Sequence, residues 1–264
     1  MKRIIVLSFM IMAIATSAMA HFQMLYLEES ALNKGGKKDI KLVFNHPFAD
    51  EHTMEMGQPE EFYVVTKKGK KDLLGTLKKM QFKGNHNAAT GYETKYQFRG
   101  LGDYTFVLTP EPYLEKSEGA YIQQITKVIA NVAGAPTHWD QELGLKAEIV
   151  PLVKPYSVWQ GGSFTGVVMG NGKPVPYAEI EVEYLRWDVD MANNKMGSKP
   201  FVEAPHDSFV TMGIKANKDG EFTFAMPFAG WWGFAALGAG PDTEYKGKEL
   251  SQDAVIWVQA KPVK

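Results

Sequence analysis

The 264-residue chain contains no cysteine. That absence excludes a disulfide framework, thiolate metal sites and cysteine nucleophiles together, so stability has to come from burial. An excess of one charge is missing too, since 29 Lys and Arg stand against 30 Asp and Glu. A chain without a basic surplus is poorly suited to nucleic acid or an anionic membrane. No phosphate loop, dinucleotide fingerprint, nucleophile elbow or zinc-protease helix motif is present. The nearest thing to a carboxylate pair, Asp188 and Asp190 in Trp187-Asp188-Val189-Asp190, reads as a solvated loop and not as a glycosidase site. With no recognisable set of acid, base and nucleophile, the expectation is a binding protein and not an enzyme.

Long apolar runs are also scarce. The only one, Ile4 to Ala15, follows Lys2 and Arg3 and leads to Ala18-Met19-Ala20. That order is the charged region, short apolar region and small-x-small cleavage site of a secretory signal peptide. The run falls short of the roughly 20 residues a bilayer span needs, and no comparable run follows. The expectation is a signal peptide at 1–20 and a periplasmic mature chain with no bilayer span. Removing residues 1–20 takes Lys2 and Arg3 with it and leaves 27 basic against 30 acidic side chains.

Short β-branched and aromatic runs bounded by Gly, Pro, Asn or Asp fill the rest. They include Lys38 to Phe44, Glu61 to Thr66, Thr94 to Phe98 and Asp103 to Leu108. After an extended Val150 to Pro155 connector they resume at Ser163 to Met169, Ala178 to Leu185, Glu221 to Ala225, Trp231 to Leu237 and Ala254 to Gln259. The fold expected is mainly β with two β-sandwich domains, 21–150 and 151–264, the second immunoglobulin-like or transthyretin-like. One helix is expected near the junction, about Ser117 to Val132, because Ile122, Ile125, Ile129 and Val132 recur at helical spacing.

The chemistry concentrates in six histidines: His21, His46, His52, His86, His138 and His206. Cleavage after Ala20 would make His21 the first residue, so its α-amino group and imidazole could chelate one ion together. Amine and imidazole suit nickel, cobalt, copper and zinc. A second cluster runs from His46-Pro47-Phe48 through Asp50, Glu51, His52 and Met54 to Met56. In extended chain His52, Met54 and Met56 share a face, and thioether ligation would draw the preference toward Cu(I). His86 and His206 sit in turn-like contexts and read as surface residues. The candidate ligands are therefore His21, His46, His52, Met56 and His138, the last standing beside Trp139.

Several stretches resemble one family along most of the chain. They are His21-Phe22, Phe44-Asn45-His46-Pro47-Phe48, Gly102-Asp103-Tyr104-Thr105-Phe106, Pro110-Glu111-Pro112-Tyr113, Thr126-Lys127, the Gly144 to Leu152 run, Gly172 to Pro176, Asp219 to Phe222, and Met226 to Leu237. The family is a periplasmic domain of unknown function associated with cobalt/nickel ABC-type transport. The resemblance implies a two-domain β-sandwich that handles nickel or cobalt, with His21 and His46 as ligands and a metal-uptake membrane permease as partner. Many relatives carry a histidine just before the Thr-Lys pair, where this chain has Gln124. Two alternatives stand beside that reading. One is a copper-binding or copper-chaperone protein using His21 with Met54 and Met56, and the other is a metal-free adhesion or carbohydrate-binding sandwich.

Overall fold

A computed structural model of the chain describes residues 21–50 and 52–263. The expected leader, 1–20, lies outside them. Strands dominate, joined by two short 3-10 turns at Leu74–Thr76 and Asp207–Phe209, and no α-helix occurs among the described residues.

The chain builds two β-sandwiches on one shared sheet. That long sheet runs, in spatial order, through Met212–Lys215, Glu179–Tyr184, Gly230–Ala236, Lys248–Lys261, Ala120–Val132, Gly102–Thr109, Glu61–Thr66 and Gly69–Asp72. A second sheet carries Phe22–Tyr26, Gly36–Asn45, Ala88–Phe98 and Lys78–Lys83, and is extended by a hairpin of Trp187–Asp190 and Lys195–Pro200 from the later half of the chain. A third, four-stranded sheet holds Ala147–Pro151, Ser163–Gly170, Lys173–Pro174 and Glu221–Ala225. With the later strands of the shared sheet it encloses a second core as a β-sandwich.

Side-chain alternation explains how one sheet serves two cores. Along Lys248–Lys261, Val255 and Trp257 enter the first core while Ala254, Ile256, Val258 and Ala260 enter the second. The Gly230–Ala236 strand divides likewise, with Trp231 and Ala235 on one side and Trp232, Phe234 and Ala236 on the other. Strands covered on both faces lose the polar half of their alternation and read as continuous apolar runs.

The same physics overturns the expected helix. Residues Ala120–Val132 form a 13-residue strand, buried from Gln123 onward. Its register is parallel to Lys248–Lys261, from Tyr121 opposite Leu250 to Val128 opposite Trp257, and antiparallel to Gly102–Thr109. Isoleucines at i, i+3 and i+7 imitate a helix face when both faces of a strand are covered, and pairing with two neighbours decides the matter. The other runs fall where expected; Glu61–Thr66 and Glu221–Ala225 match to the residue. The connector expected from Val150 begins as part of the Ala147–Pro151 strand.

One buried ion pair ties the third sheet to the shared one. Lys127 Nζ lies 2.7 Å from Glu148 Oε1, and both side chains are almost fully buried. Glu148 also accepts from the backbone N–H groups of Leu143 and Leu145. Burial pulls the Lys127 ammonium below its ordinary pKa, and Glu148 opposes that pull. A pair of this kind is costly to break from one side, because the remaining charge has no solvent to turn to. Lys127→Met is expected to lower the free energy of unfolding by about 3–5 kcal/mol, read from urea denaturation. A loss under about 1 kcal/mol would mean that Glu148 finds another partner or gives up its charge.

Candidate metal centre

The register of two strands brings the first two histidines together. Phe22–Tyr26 runs antiparallel to Gly36–Asn45 with Phe22 opposite Asn45. The next pair outward is His21 and His46, whose ring centroids lie 4.6 Å apart at 77°. Phe44 and Tyr113 flank His21 at 5.8 and 6.3 Å. Glu115, at the end of the Tyr113–Glu115 strand, places Oε2 3.1 Å from His21 Nε2.

The N-terminal strand is anchored from below by the shared sheet. Phe22 is fully buried and sits where a Cβ on Gly233 would come within 2.8 Å of its ring, so glycine in Trp231-Trp232-Gly233-Phe234 opens the space. The Trp257 indole donates to the Gln23 carbonyl at 2.9 Å. Gln124 then clasps the backbone on both sides of Phe22, accepting from Gln23 N and donating to the His21 carbonyl, each at 2.7 Å. Gln124 thus lies directly against the His21 backbone.

His46 is held by the turn that follows it. Asp50 N donates to the His46 carbonyl at 2.7 Å, and the later half of the chain grips the loop between them. Arg186 N donates to the Pro47 carbonyl, Trp187 Nε1 to the Phe48 carbonyl, and Phe48 N to Glu183 Oε2. The Arg186 guanidinium also lies over the Phe48 ring at 5.0 Å. Burial raises the Glu183 carboxyl to about 8, so this grip is made by a group that is largely uncharged at neutral pH.

The imidazoles are electrostatically unusual. His46 is 5% exposed, and neither of its ring nitrogens has a hydrogen-bond partner. Burial, followed by the neighbouring His21 and His52, lowers its pKa to about 4. Burial also lowers His21, against the pull of Glu115 and Glu118. Burial alone would raise Glu115, but two hydrogen bonds from Ser117 and the adjacent His21 and His46 hold it below the ordinary carboxylate value. The result is two neutral imidazoles beside a carboxylate at pH 7.

The remaining candidates separate. His52 is exposed near the pair, close enough to influence both rings electrostatically. Met56 is buried in the first core, where its sulfur accepts from Gln23 Nε2 at 3.5 Å, and Met54 is buried there too. His138 lies elsewhere: its N–H donates to Asp103 and its ring nitrogens meet Thr137 Oγ1 and the Val65 carbonyl. Asp103 also binds Asn131, seven residues along the strand from Gln124, which is about 23 Å at 3.3 Å per residue. His206 caps a 3-10 turn. Among the described residues no three His, Asp or Glu side chains are grouped to hold a metal ion. Sequence reasoning missed Glu115, Glu183 and Arg186, whose roles arise from strand and loop neighbours far away along the chain.

The family model described as Domain of unknown function (DUF4198) matches residues 18–240. The chain belongs to the DUF4198 family. No curated protein matches it in sequence. Among solved structures, this DUF4198 chain is similar to the D0-D1 domain of intimin at 10% identity and a TM-score of 0.22, with 91% of this chain and 100% of that one covered. It is similar to the native E. coli alpha-2-macroglobulin at 9% identity and a TM-score of 0.22, covering 93% of this chain and 14% of that one. A run of titin domains gives 9% identity and a TM-score of 0.23, over 92% of this chain and 66% of that one. Values this low carry no argument about function, and the sandwich architecture rests on the strand pairing itself.

Burial of a neutral His46 sets the sign of a pH effect. The unfolded chain binds a proton at this residue near pH 6.5, whereas the folded chain does so near 4. Stability is unaffected above pH 6.5 and is lost as pH falls through that window, by on the order of 3 kcal/mol. His46→Gln is expected to remove this part of the acid slope in denaturation curves taken between pH 7 and 4. Parallel slopes for the variant and the wild type would show that His46 is protonated while folded.

Proposed function

We propose that this protein captures a divalent transition-metal ion, nickel or cobalt, in the periplasm and passes it to a membrane permease. The observation that carries the reading is the His46 imidazole, buried with both ring nitrogens unpartnered and set against a second imidazole. A buried polar atom without a partner is expensive, and sites that bind ions are one place where that cost is offset on loading. With metal–nitrogen bonds of about 2.0–2.1 Å, each ring centroid stands roughly 3.2 Å from a shared ion. Rings 4.6 Å apart then fit two donors at about a right angle.

The third donor in this reading is the α-amino group that removal of residues 1–20 exposes on His21. It supplies what the side chains alone do not, since the described His, Asp and Glu residues form no group of three. An all-nitrogen set of amine and imidazoles suits nickel and cobalt, and also Cu(II). The copper-chaperone alternative loses its soft ligands, because Met54 and Met56 are part of the first core. The adhesion alternative cannot draw on Trp231 and Trp232, which are buried, and would have to use exposed aromatics such as Trp159 and Tyr177. The sequence resemblance to nickel and cobalt uptake components favours those two ions as cargo.

The test is titration of the mature protein, His21 first, with Ni(II), Co(II), Cu(II) and Zn(II), followed by native mass spectrometry. One nickel or cobalt per chain is expected. His46→Ala, or a glycine added before His21, should weaken binding by more than about 100-fold, beyond what loss of a supporting residue usually causes. Tight binding of copper alone would overturn the nickel and cobalt assignment, and unchanged binding in both altered proteins would overturn the site.

A further inference from the structure

We infer that Glu115 is a positioning residue that selects the ring nitrogen through which His21 takes its ion. The inference rests on the metal-binding reading above. Glu115 stands on the side of the imidazole marked by Nε2, with Oε2 at 3.1 Å. Its other oxygen, Oε1, accepts from both the N–H and the hydroxyl of Ser117, at 2.9 and 2.5 Å. Two donors on one oxygen leave the second as an acceptor facing His21, and a carboxylate acceptor needs an N–H opposite it. A neutral imidazole carries a single N–H. Held on Nε2 by Glu115, that hydrogen is absent from Nδ1, which becomes the basic nitrogen of the ring.

The choice matters because only Nδ1 can act together with the α-amine of the same residue. Amine nitrogen, Cα, Cβ, Cγ, Nδ1 and the ion close a six-membered ring, whereas Nε2 lies on the far edge of the imidazole and closes none. Glu115 therefore turns His21 from a monodentate imidazole into a chelate, in the way that carboxylates orient metal-bound histidines elsewhere. In this arrangement Glu115 acts beside the ion, through the imidazole, and not as a ligand itself. The tight turn that fixes Glu115, with Gly119 N donating to its carbonyl at 2.8 Å, belongs to the hairpin leading into Ala120–Val132. That strand also carries Gln124, so a single segment of chain fixes both the backbone and the ring of His21.

The decisive experiment is long-range ¹H–¹⁵N spectroscopy of His21 in the metal-free mature protein, followed by Ni(II) titration. In the wild type, Nε2 is expected to resonate as a protonated nitrogen and Nδ1 as a bare one. Glu115→Ala should move both signals toward the average of the two tautomers and lower Ni(II) affinity by about 10–100-fold. Glu115→Gln, whose amide oxygen still accepts from Nε2, should recover most of both. In a protein with one glycine before His21 the chelate cannot close, and Glu115→Ala should then change affinity much less. A protonated Nδ1 in the wild type, or spectra identical in Glu115→Ala, would overturn the inference whether or not metal binds. A protein that shows the expected tautomer but takes up no metal would overturn the cargo reading and leave the positioning of the ring by Glu115 standing.

Discussion

The structure depends on one strand being covered on both faces. Lys248–Lys261 pairs in parallel with Ala120–Val132 and antiparallel with Gly230–Ala236, and its alternate residues supply the two cores. Separate sandwiches with a linker would be free to move against each other. Here the hydrogen-bond ladder runs through the junction without a break, so displacement of one half would break that ladder and uncover the apolar faces of both cores. The hairpin at Trp187–Pro200 reinforces the connection from the other side by joining the N-terminal sheet, where Lys83 N donates to the Asn194 carbonyl.

That continuity shapes the candidate site. His21 and His46 come from adjacent strand ends in the early part of the chain, yet neither is held there by its own strands alone. Gln124 and Trp257 secure the backbone around His21, while Glu183, Arg186 and Trp187 secure the loop after His46. A binding site gains precision when its ligands are fixed by packed elements and not by loops in solvent. The later half is accordingly part of the site's support as well as the bulk of the second sandwich.

Much of the strand pattern was legible because half-covered strands keep their alternation and turns keep their Gly, Asn and Asp. The segment read as a helix fails that test for a physical reason. Ile122, Ile125, Ile129 and Val132 were set against Gln123, Gln124 and Lys127, polar residues whose burial requires partners supplied by other strands: Glu60 and Pro110 for Gln123, His21 for Gln124, Glu148 for Lys127. Periodicity treats such residues as solvent-facing and finds a helix. Met56 and His138 show the same limit, since a thioether or imidazole near a cluster in sequence carries no information about what it packs against.

By itself the sequence determined the chemical inventory: imidazoles and carboxylates in place of thiols, a histidine directly after Ala18-Met19-Ala20, and enough alternating apolar strand for two cores. It also marked His21 and His46, with His52, Met56 and His138, as candidate ligands. Only the tertiary structure decided that His21 and His46 meet, that Glu115 joins them, and that His138 does not. Strand register sets which side chains are neighbours, and register is fixed by pairing between segments far apart along the chain, such as Tyr121 with Leu250. Local sequence carries propensity and pattern; the long-range hydrogen bonds and the burial that goes with them carry the address of each side chain.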